Sequence, residues 1–124
     1  MTQTIRLFLL FEATTFFLAA LIHKGFLVEG YVHARAHVAE SIIAAVLFGG
    51  LLLTLFLPSW TRKVGVIVQG FALLGTLIGI FTIIAGVGPR TVPDVVYHVA
   101  IVAVLACGLL VARRPPAGVM GSHA

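Results

Sequence analysis

Charge is scarce in this chain. Its 124 residues include 8 basic and 4 acidic side chains, or 10% charged, where a soluble domain carries about 25%. That is too little to coat a water-soluble surface. Cysteine occurs once, as Cys107 in an apolar stretch, which excludes an intrachain disulfide and a CxxC redox or metal motif. The net charge of +4 is spread over short segments between apolar blocks, a pattern that gives no footing for nucleic acid. Apolar residues are abundant, at 60% with a mean hydropathy of +1.16.

The apolar residues fall into four blocks near 4–22, 36–57, 64–87 and 92–112. Each is long enough to cross about 30 Å of hydrocarbon as a helix. The expected fold is an all-α integral membrane protein, an up-down bundle of four transmembrane helices filling residues 1–114. Residues 115–124 read as a disordered tail, whose Gly121-Ser-His-Ala124 has the composition of an expression remnant. The first block contains Glu12 and ends without an A-x-A-type cleavage site, so it reads as a retained span rather than a leader. Arg6, Arg62, Lys63, Arg113 and Arg114 lie on one side of the expected bundle, and Lys24, Arg35 and Arg90 on the other. Five against three places both termini in the cytoplasm, with the lipid bilayer as the principal partner.

Helix punctuation is clearest at Gly86-Val-Gly-Pro-Arg-Thr-Val-Pro-Asp94. Gly86, Gly88 and Pro89 end the third helix. Thr91 reads as the N-cap of the fourth, with Pro93 in its first turn and Asp94 closing a capping box. Pro58-Ser-Trp60 stops the second. Small residues recur at four-residue steps in Ser41/Ala45/Gly49, Gly75/Gly79 and Ala103/Cys107. They read as close packing within a bundle in preference to a dedicated dimer face.

Ionisable groups inside spans are expensive and normally face a bundle interior or a wet cavity. Glu12, His37, Glu40 and His98 are the main cases. Each has a plainer reading: Asp94 as a capping carboxylate, His33 as a loop residue, His37 as a helix-start side chain reaching the headgroups, Gln69 as an interhelical hydrogen bond. Helix rise puts Glu40 and His98 at similar depth, so we expect an outer-half polar pocket formed by these two, flanked by His37 and Asp94, with Glu12 beneath. His23 falls in the expected first loop.

The donor types leave the activity open. His37, Glu40, Asp94 and His98 offer two nitrogens and two carboxylates, a set suited to a small ligand or a first-row transition metal. Two histidines on different helices also suit axial haem ligation, and a quinone is compatible with His98 and Glu40. A second reading is a proton- or cation-coupled transporter using Glu12 and Gln69 as an intramembrane relay. A third is a non-catalytic subunit or assembly factor, alone or as a homo-oligomer. Arg35-Ala-His37-Val-Ala-Glu40 faintly echoes the second-helix signature of membrane glutathione enzymes, but the Asn is missing and the Glu spacing differs. No catalytic residue is assigned, and an enzymatic role is the less favoured reading.

Gly86-Val-Gly-Pro-Arg-Thr-Val-Pro-Asp94, followed by Tyr97-His98 and preceded by Gly70-Phe-Ala-Leu-Leu-Gly75, resembles a group of small uncharacterised bacterial inner-membrane proteins. The resemblance implies the four-helix fold and a multi-pass inner-membrane location. It implies no activity.

Overall fold

A computed structural model describes residues 1–118. Four long helices make up the fold: α1 (Thr2–Lys24), α2 (Ala34–Phe56), α3 (Thr61–Ala85) and α4 (Val92–Arg113), with a 3-10 turn at Pro58–Trp60. All four are long and apolar enough to cross a membrane. The greater part of the expected tail, residues 119–124, lies outside the described residues.

Local chemistry sets the helix ends. Gly25 and Gly86 take left-handed conformations, with φ of 90° and 89°. In each case the glycine N–H and the next N–H fold back onto carbonyls of the last turn, as in Gly25→Ile22 and Phe26→Leu21. This arrangement requires a residue free of a Cβ penalty. At α4 the expected capping box is present: the Thr91 hydroxyl oxygen accepts from the Asp94 N–H, and the Asp94 carboxylate accepts from the Thr91 N–H. At α2 the cap is His33, whose Nδ1 accepts the Ala36 N–H at 3.2 Å.

Two boundaries differ from the sequence expectation, and one of them matters for function. The first helix does not stop at Ile22. It runs through His23 and Lys24, because the stop is supplied by Gly25. The third begins at Thr61, so Arg62 and Lys63 occupy its first turn, with Lys63 Nζ 5.0 Å from the centre of the Trp60 ring.

Sequence neighbours pack side by side, α1 closes the bundle against α4, and α1 also touches α3 across the centre. Ile5, Leu9, Phe16, Leu47 and Leu105 are sealed in the core, while Phe11, Ile67, Phe81, Ile84 and Val99 point outward. Outward apolar side chains of this kind suit acyl chains. Close helix approach depends on glycine. A Cβ on Gly50 would lie 2.8 Å from Val68, one on Gly65 2.8 Å from Ile5, and one on Gly75 3.0 Å from Ile43. The Gly75/Gly79 pair thus packs within the bundle. Ala45, Gly49, Ala103 and Cys107 are exposed, and a Cβ on Gly49 would meet nothing within 4 Å.

Candidate functional site

Polar side chains inside the bundle gather in three layers. At the end opposite the α1–α2 and α3–α4 loops, Arg6 Nε donates to Thr54 Oγ1 at 3.3 Å and Arg62 Nε donates to the Ala112 carbonyl at 3.3 Å. In the middle, the Gln69 amide donates to both Glu12 oxygens at 3.1 and 3.2 Å. Both residues are 0% exposed. Space for the pair comes from Gly108, where a Cβ would lie 2.3 Å from Gln69 Nε2 and 2.7 Å from Glu12 Oε1. Glu12 and Gln69, expected as relay members, are therefore each other's partner.

The third layer, at the loop end, is the richest. His23, on the last turn of α1, bridges α2 and α4. Its Nδ1 is 2.6 Å from Glu40 Oε2 and its Nε2 is 3.0 Å from Asp94 Oδ1. All three side chains are buried. The second Asp94 oxygen is taken by the Thr91 N–H and hydroxyl. Among the described residues His23 is the sole ion-pair partner of either carboxylate. Each contact joins an imidazole nitrogen to a carboxylate oxygen, two lone-pair carriers, so each needs one proton. Two protons shared by one imidazole and two carboxylates leave a net charge of −1, whichever atoms hold them.

Two cavities flank this cluster. One, of about 210 Å³, lies between α2 and α3 and includes Glu40, Thr76, Gly79, Thr82 and His98 in its wall. The other, of about 420 Å³, lies between α1 and α4 beside His23, Tyr31, Asp94 and Tyr97. The triad forms part of the partition between them. Glu40 presents its second oxygen, Oε1, buried and without a partner.

The expected residues are placed as follows. Glu40 and His98 share the wall of the smaller cavity, but they do not pair: Glu40 is held by His23, and His98 Nδ1 donates to the Asp94 carbonyl on its own helix at 2.7 Å. His37 does not flank that cavity; its Nδ1 donates to the Ala20 carbonyl at 2.9 Å, locking α2 to α1. Asp94 lies on the far side of His23. Glu12 sits apart, with Gln69. Of the proposed ligand set, Glu40 and Asp94 share His23, whereas His37 and His98 are each bound to a backbone carbonyl. Among the described residues no group of three His, Cys, Asp or Glu side chains is arranged to hold a metal.

His23 is the member of this cluster that sequence reasoning missed. Its signal was available. Glu12, Phe16, Ala19 and His23 follow at helical spacing and are all buried, so continuing the first helix by one turn brings His23 onto the inward face.

Comparison of the chain with protein-family models, curated proteins and solved structures found no match. The class rests on the molecule itself: four apolar spans with polar groups turned inward define a polytopic helical membrane protein.

Proposed function

We propose that this protein binds a small ligand in the cavity between α2 and α3, in the outer half of a bacterial inner membrane, with both termini in the cytoplasm. One observation carries the reading. Glu40 lines the cavity and is 4% exposed, and its Oε1 is buried without a partner. Burying a carboxylate oxygen without a donor is costly, and the adjoining space admits a molecule that supplies one. The orientation rests on the excess of Lys and Arg on the side of the termini. The bacterial location rests on the resemblance at Gly86–Asp94 and Tyr97-His98. The same pocket is compatible with binding alone and with delivery to a partner.

The test is a thermal-stability screen of the purified protein against small alcohols, amines and phenols, beside a Gly79→Leu variant. Gly79 borders the cavity, and a side chain there would fill it. The reading predicts that at least one fragment stabilises the native chain and leaves Gly79→Leu unmoved. No stabilising fragment, or equal shifts in both proteins, would refute it.

A further inference from the structure

We infer that the occupant of this cavity presents a small primary ammonium group to Glu40. The inference rests on the ligand reading above and specifies the chemistry of the ligand. It follows from the hydrogen-bonding state of each polar group in the wall. Glu40 Oε1 is an unpartnered acceptor. His98 has committed Nδ1–H to the Asp94 carbonyl, so in the neutral ring Nε2 is a bare acceptor. That nitrogen faces Gly79, 3.3 Å from where a Cβ would sit. The Thr76 and Thr82 hydroxyls donate to the carbonyls of Ala72 and Gly79, each at 2.7 Å, which leaves only lone pairs for a ligand. His33 Nδ1 accepts from Ala36, and Nε2–H is spent on the Val87 carbonyl at 3.2 Å. Among the side chains of the wall, Arg35 is the one remaining donor, and it is exposed.

The wall within the bundle is therefore made of acceptors, and it backs onto a cluster of charge −1. An ammonium has three donors, no acceptor and one positive charge. Glu40 Oε1 is the one carboxylate oxygen of the cluster without a hydrogen-bond partner, since Glu40 Oε2 and both Asp94 oxygens are engaged. The volume of about 210 Å³ equals roughly seven water volumes at about 30 Å³ each, enough for the ammonium and a short apolar body. The ammonium can arrive on a free amine or on a lipid headgroup. Arg35 beside the cavity suits the phosphate of such a headgroup.

The experiment uses the full chain in phosphatidylcholine nanodiscs, titrated with cyclohexylammonium, its N,N,N-trimethyl counterpart and cyclohexanol. Charge-assisted hydrogen bonds contribute enough to separate them. The expected result is that the primary ammonium binds at least about tenfold more tightly than either of the others, and that Glu40→Gln and Gly79→Leu each abolish the preference. Including phosphatidylethanolamine in the disc distinguishes the sources. A lipid headgroup in the cavity weakens the added amine and Arg35→Gln relieves the competition, whereas a free-amine site is indifferent to the lipid; either result supports the ammonium. Equal binding of the trimethyl compound or the alcohol overturns the inference while leaving a ligand site in place. Failure of all three probes to bind overturns the inference together with the ligand reading.

Discussion

His23 Nδ1 stands 2.6 Å from Glu40 Oε2, joining the last turn of the first helix to the second turn of the next. The other nitrogen of the same imidazole holds Asp94, so one ring ties three helices. Removing one partner from a buried pair leaves an uncompensated charge and costs about 3–5 kcal/mol. His23→Leu is expected to destabilise the protein by that amount in unfolding titrations in mixed micelles. The triple variant His23→Leu, Glu40→Leu, Asp94→Leu is expected to recover a large part of the loss, because no orphaned carboxylate remains.

The central pair, Glu12 and Gln69, shares no hydrogen bond with the triad. Gln69→Leu strips Glu12 of its donor, an expected loss of about 1–3 kcal/mol. The double variant Glu12→Leu, Gln69→Leu is expected to be closer to native than Gln69→Leu alone. A double-mutant cycle measures the coupling, which membrane hydrogen bonds place near about 0.6–1.7 kcal/mol.

Gly108→Val tests the same pair sterically. A Cβ there would meet Gln69 Nε2 at 2.3 Å and Glu12 Oε1 at 2.7 Å. Both are tips of side chains, so they can move, but only by giving up their hydrogen bonds. Overpacking of this kind costs about 1–3 kcal/mol. The same substitution at outward-facing Gly49, where a Cβ meets nothing within 4 Å, is expected to change stability little. Thermal unfolding of the two variants side by side checks the contrast.

Thr91→Ala removes the hydroxyl cap of α4, an expected cost of about 0.5–2 kcal/mol. Asp94 keeps His23 as a partner, so the loss is expected to stay within that range instead of reaching the cost of breaking the triad. Hydrogen exchange at the first turn of α4 reports it: faster exchange there, with the remainder of the helix unchanged.

Much of this architecture was legible in the sequence. Four apolar runs, the glycine and proline punctuation and the Thr91–Asp94 box all act locally, and a linear reading captures local chemistry. Glu40, His98, Glu12 and Gln69 were recognisable as inward-facing because lipid penalises the alternative. Their pairing was not recognisable, because it depends on rotation and register between helices far apart in sequence. One turn of helix decided the outcome. With α1 ended at Ile22, His23 becomes a loop residue and Glu40 is assigned to His98. With α1 ended at Gly25, His23 reaches between the two carboxylates. His37 illustrates the converse: it is on the right face, yet it is spent on the Ala20 carbonyl.

The most direct test places a nucleus on each side of the central contact. Solid-state NMR on the protein in phosphatidylcholine bilayers, with 13C at the Glu40 carboxyl and 15N in added cyclohexylammonium, measures their dipolar coupling. The account predicts a coupling of hydrogen-bonding range that Gly79→Leu eliminates. Saturating amine with no coupling to the Glu40 carboxyl would contradict it.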